Sequence, residues 1–152
     1  MPTTSNENLT LTRLPNNMVR ITVQYQAHFT PRERCMTGCG VRYRELIAVM
    51  GVDDPPAGPA GDAVLNLGAN GFAPLFLGVT QGNVPQTIAR NRSVTVPRAA
   101  LNEDPQLFNS DEIRVRIRIV PSGLPIAHTA FTDIETLVEG VILPADGQPV
   151  PA

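Results

Sequence analysis

Lysine is missing from this chain of 152 residues, and all 12 basic residues are arginine. Tryptophan is missing too, aromatic residues make up only 5%, and charged residues only 17%. A net charge of −2 argues against a dedicated nucleic-acid binder. The 2 cysteines are too few for a disulfide framework. No apolar run approaches the ~20 residues that span a bilayer, so no membrane partner is expected. The start, Met1-Pro2-Thr3-Thr4-Ser5-Asn6-Glu7-Asn8, has neither a basic region nor an apolar core. It is no secretory leader, and a cytoplasmic location is the expectation. Phosphate-loop, dinucleotide and nucleophile-elbow patterns are absent. The sequons at Asn8-Leu9-Thr10 and Asn91-Arg92-Ser93 carry little weight without a leader. Genomic base composition can produce an arginine-for-lysine bias without functional selection.

What is present is alternation. Ile113, Val115, Ile117 and Ile119 interleave with Arg114, Arg116 and Arg118 and are followed by Val120. That period of two belongs to a strand with one dry and one wet side. Same-side arginines lie about 7 Å apart, where like charges in water repel by only about 0.6 kcal/mol. The face is therefore wet or matched by carboxylates. Val19, Ile21, Val23, Tyr25, Ala27 and Phe29 repeat the pattern against Arg20, Thr22, Gln24, Gln26 and His28.

Between these strands the punctuation is dense, with 15 prolines and 12 glycines. Pro15-Asn16-Asn17 marks a turn after a weak strand at Leu9 to Leu14. Thr30-Pro31-Arg32-Glu33 is a capping box with proline at the first helical position, predicting one short helix near 31–38 that Gly38 and Gly40 stop. Further strands are predicted at Val41 to Val52, Ala63 to Leu67, Leu75 to Val79, Ser93 to Val96, Ile126 to Thr132 and Thr136 to Leu143. The stretch from Thr80 to Arg92 is polar and unpatterned, and reads as loop.

Roughly seven to nine short strands at this spacing predict an all-β, single-domain antiparallel β-sandwich. The boundaries expected are a polar arm at 1–8, the sandwich at 9–143 and a Pro-rich tail at 144–152. The passage from Leu101 through Asp111-Glu112-Ile113 to Val120 resembles the approach to a late strand of an immunoglobulin-like or fibronectin type III-like domain. The resemblance covers about twenty residues and implies fold only, with a jelly roll as its competitor. It departs from antibody domains in lacking tryptophan and a tyrosine corner, and its cysteines are only four residues apart.

Candidate chemistry is sparse. Asp53, Asp54, Asp62, Glu103 and Asp104 are loop carboxylates that can gather Ca²⁺ at one end of a sandwich, although ordinary turns use the same residues. Arg42, Arg44, Arg114, Arg116 and Arg118 form an anion-binding surface if their strands are neighbours with those side chains on one face. Cys35 and Cys39, with His28, lack the spacing and second pair of a zinc site. They read as reduced, partly buried small residues. His128, Asp133 and Ser122 match no triad order, and Glu135 with Glu139 reads as neutralising nearby arginines.

The leading expectation is therefore a non-catalytic module acting through its surfaces, as a homo-oligomer or by binding a protein partner. A calcium- or carbohydrate-binding module and a binder of acidic partners are the alternatives. No cofactor other than calcium is implied.

Overall fold

Strands with one dry side bury it only by stacking sheet on sheet, and the computed structural model shows two antiparallel sheets doing so. It describes residues 1–51, 63–101, 111–122, 128–138 and 141–143. In chain order the elements are β1 (Thr3–Leu14), β2 (Met18–Phe29), α1 (Pro31–Met36), β3 (Tyr43–Gly51), β4 (Ala63–Val64), β5 (Leu75–Phe76), β6 (Gln86–Pro97), β7 (Asp111–Pro121), β8 (His128–Phe131), β9 (Glu135–Val138) and β10 (Val141–Leu143).

One sheet runs β1-β2-β6, and the other runs β10-β9-β7-β3-β4 with β5 on β3 and β8 on β7. The fold is an all-β sandwich. Its centre is a single cluster in which Leu9, Leu11, Ile21 and Phe29 of one sheet meet Tyr43, Val49, Ile117 and Leu137 of the other. As the alternation predicts, Ile113, Val115, Ile117 and Ile119 are each 0% exposed. Burying one such side chain is worth about 1.5–3 kcal/mol.

Local chemistry fixes the connections. The β1–β2 hairpin pairs Leu14 with Met18, and Asn16 and Asn17 take φ of 64° and 56°, which asparagine tolerates. The capping box forms as read: Glu33 N–H donates to Thr30 Oγ1 at 3.2 Å, and Thr30 N–H donates to Glu33 Oε1 at 3.0 Å. The helix is fastened to the segment before β6 by Arg34, whose guanidinium donates to the carbonyls of Thr80 (2.8 Å), Gln81 (3.1 Å) and Val84 (2.8 Å). No helix among the described residues is long and apolar enough to cross a membrane.

Several boundaries differ from the sequence reading. Residues 3–8 are not an arm but the first half of β1, pairing Thr3 with His28 and Ser5 with Gln26. Thr3, Ser5 and Asn8 pair opposite His28, Gln26 and Gln24 on the sheet's outer face, and a bulge between Ser5 and Asn8, with Asn6 at φ 55°, absorbs the change of phase. β6 begins at Gln86 and not at Ser93. The predicted strand at Ala63 to Leu67 stops at Val64, because Asn66 Oδ1 accepts from Gly68 N–H at 3.0 Å and turns the chain. β9 and β10 pair antiparallel, Val138 with Val141, where one strand was expected. Between β8 and β9, Thr132 Oγ1 accepts the Val115 N–H at 2.7 Å, so a side chain substitutes for one rung of the ladder. The tail at 144–152 lies outside the described residues.

Candidate functional site

The arginine surface takes shape from strand register. β3 pairs with β7 so that Leu46 is opposite Arg118, Ala48 opposite Arg116 and Met50 opposite Arg114, with Arg44 opposite Val120. Residues directly opposite share a face. Arg42, Arg44, Arg114, Arg116 and Arg118 therefore all stand on the outer side of the larger sheet. The condition set by the sequence is met.

Arg42 and Arg44 are exposed, while the three arginines of β7 are half-buried. Leu46, Ala48 and Met50 lie opposite these three arginines and cover part of them, so that Arg114 Nη2 and Arg116 Nε are themselves buried. Two guanidiniums are also held against rings. Arg42 Cζ lies 3.7 Å from the centroid of Phe76, and Arg114 Cζ lies 5.1 Å from that of Phe131. Such stacking adds about 0.5–1 kcal/mol at an exposed position such as Arg42.

A second charged cluster lies inside the sandwich, and sequence reasoning missed it. Glu45 shares the inner face of β3 with Tyr43 and Val49 and is 0% exposed. Its carboxylate accepts from the Tyr25 hydroxyl of β2 and from two arginines of β6. Arg90 binds in a fork, Nε to Oε2 at 2.9 Å and Nη2 to Oε1 at 3.2 Å. Arg92 Nη1 donates to Oε1, while its Nη2 reaches the Ala73 carbonyl at 3.1 Å. Burial alone would raise the Glu45 pKa, but hydrogen bonds from Arg90, Tyr25 and Arg92 and the Arg90 charge outweigh it and hold the carboxyl below its usual range. The Tyr25 phenol is pushed far above its ordinary value, first by burial and then by the Glu45 carboxylate. It remains a neutral donor. One carboxylate thus fastens three strands across the two layers. The available signal was phase: Glu45 is in step with Tyr43 and Ile47, and Arg90 and Arg92 are in step with Ile88 and Val94.

The remaining sequence candidates do not assemble. Asp53, Asp54, Asp62, Glu103 and Asp104, with Glu139, lie outside the described residues. Among the described residues no three His, Cys, Asp or Glu side chains are grouped to hold a metal. His28 is on the outer face of the smaller sheet, its Nδ1 3.0 Å from Thr87 Oγ1 and its Nε2 2.5 Å from Ser5 Oγ. Cys35 and Cys39 are free thiols, exposed and not partly buried as expected, because the short helix packs on the sandwich through Glu33 instead. Glu135 pairs opposite Ile113, shares the inner face and is 6% exposed. Asp133 stands exposed in the break between β8 and β9, and His128 pairs opposite Ile119.

No protein-family model matches this chain, and no curated protein or solved structure matches it either.

Proposed function

We propose that this protein is a non-catalytic β-sandwich that binds an acidic partner through the outer face of its larger sheet. The observation carrying this reading is the β3–β7 register, which puts Arg44, Arg114, Arg116 and Arg118 on one face, where Arg42 joins them by stacking on Phe76 opposite Arg44. Guanidiniums are suited to carboxylates because their planar fork matches a carboxylate's two oxygens. Strand order supports an immunoglobulin-like rather than a jelly-roll sandwich. The first, second and sixth strands form one sheet while the third, seventh and following strands form the other, as in the A-B-E and C-F-G sheets of that fold.

Poly-L-glutamate is the probe. The protein should bind it at low salt and release it as ionic strength rises, since exposed charge pairs are screened beyond a Debye length of about 10 Å at 0.1 M. The R42Q/R44Q/R118Q variant, with its changes at one end of the sheet, should lose at least about tenfold in affinity measured by fluorescence anisotropy. Unchanged affinity would remove the reading.

Self-association is the second reading. It is favoured by β6, twelve residues long and at one edge of its sheet among the described residues. An edge of that length presents main-chain groups that a second copy can pair. Light scattering on the eluting protein should then give a mass above one chain; a strict monomer at micromolar concentration removes this reading and leaves the first untouched.

A further inference from the structure

The ladder along β3 is complete on one side and interrupted on the other. Against β7 it runs unbroken from Tyr43 opposite Pro121 to Gly51 opposite Ile113. On the far edge β5 pairs only with Arg44 and Glu45, and β4 only with Met50 and Gly51. One further bond is added beside each: Leu77 N–H to the Tyr43 carbonyl at 2.8 Å, and Leu65 N–H to the Val49 carbonyl at 2.9 Å. The main-chain groups of successive residues point to opposite edges of a strand. Tyr43 and Val49 face the β5/β4 edge, so Ile47 faces it too. Among the described residues no strand and no other main-chain bond meets the Ile47 N–H and C=O there.

An open cleft of about 380 Å³ lies at this gap, walled by Ile47, Val49, Leu65, Leu67 and Phe72. Its surroundings are unusually apolar for a surface. Val64, Leu75 and Phe76, on the two short strands that flank it, are 55%, 43% and 48% exposed. An unpaired amide and carbonyl beside apolar walls is the arrangement used in strand addition, where main-chain bonds give affinity and side-chain pockets give selectivity. A free carboxylate or similar anion only accepts and would leave the Ile47 carbonyl unmatched. Leu46, Ile47 and Ala48 together take up about 10 Å of strand, room for roughly three extended residues.

We propose that the open middle of β3 captures a short, extended, apolar segment of another protein, one residue of which exchanges both main-chain bonds with Ile47 while an apolar side chain fills the cleft. This site is separate from the arginine face and does not depend on it.

The test uses the wild-type protein and blocked acetyl-Val-Leu-Val-amide. In the free protein the Ile47 amide should exchange at least about tenfold faster than those of Leu46 and Ala48, which face β7. The peptide, at millimolar concentration, should slow Ile47 exchange and shift the Leu65 and Leu67 resonances. Methylating the peptide's leucine nitrogen should weaken binding by at least about tenfold, because that donor is lost. Three results overturn the proposal: an Ile47 amide already slow in dilute free protein, which means the edge is paired within the chain; one that slows only as protein concentration rises, which assigns the gap to a second copy; or equal binding of the methylated peptide.

Discussion

Replacing Glu45 with alanine should remove about 3–5 kcal/mol of folding stability, because it leaves two arginines and a phenol facing each other inside the sandwich without their shared acceptor. The lower end of that range is expected, since Arg90 and Arg92 keep 22% and 15% of their side chains exposed and water takes up part of their charge. Urea unfolding at neutral pH measures this loss. Tyr25→Phe removes one hydrogen bond and leaves the ion pairs, so about 1–2 kcal/mol is expected there. A loss below about 1 kcal/mol for Glu45→Ala would mean that the carboxylate is not holding the layers together.

The cluster also sets a pH dependence. Glu45 has a depressed pKa in the folded state, so its contribution is complete above the unfolded value of about 4.3 and is lost as pH falls through the lower folded value. Glu45→Gln has no such titration. The stability gap between wild type and Glu45→Gln should therefore be widest near neutrality and narrow below about pH 4. Tyr25 acts at the other limb: its raised pKa keeps it protonated in the fold, so stability falls as pH rises past the unfolded phenol's value of about 10.

The second large effect belongs to the middle of β7. Ile117 is 0% exposed and stands between Ile47 of β3 and Ala130 of β8. Ile117→Ala should cost about 2–5 kcal/mol, the transfer of the lost methyl groups plus the cavity they leave. One residue along, Arg118→Ala should change stability by no more than about 0.5 kcal/mol, because that side chain stands on the outer face. Denaturant titration of the pair, with slopes unchanged, reads out the two sides of one strand. Similar losses for both would contradict the inward and outward assignment.

Where the chain obeys a single local rule, its structure was legible. The capping box at Thr30 and Glu33 needs only a four-residue spacing, and the dry faces of β2 and β7 need only a period of two. The same rule failed wherever a charge occupies an inner position. Arg90 and Arg92 break the apolar side of β6, so that strand reads as loop until Glu45 is known to lie opposite them across the core. Glu45 itself sits among Val41-Arg42-Tyr43-Arg44, where it passes for one more surface charge. Each of these side chains is unfavourable inside by itself and acceptable only with the others, and that dependence runs between residues 45 apart in the chain. The arginine face was half legible: alternation put three arginines on one side of β7, but only the pairing with β3 added Arg42 and Arg44.

By itself, then, the sequence determined that this is an all-β sandwich with one capped helix and a central strand whose aliphatic side is sealed, because hydrophobic alternation and capping are properties of neighbouring residues. Tertiary structure decided which strands lie side by side, that a buried carboxylate joins the two layers, and that no strand among the described residues pairs with β3 at Ile47 on the β5/β4 edge. Those outcomes depend on register and on charges meeting across the core, and no local pattern in the chain records either one.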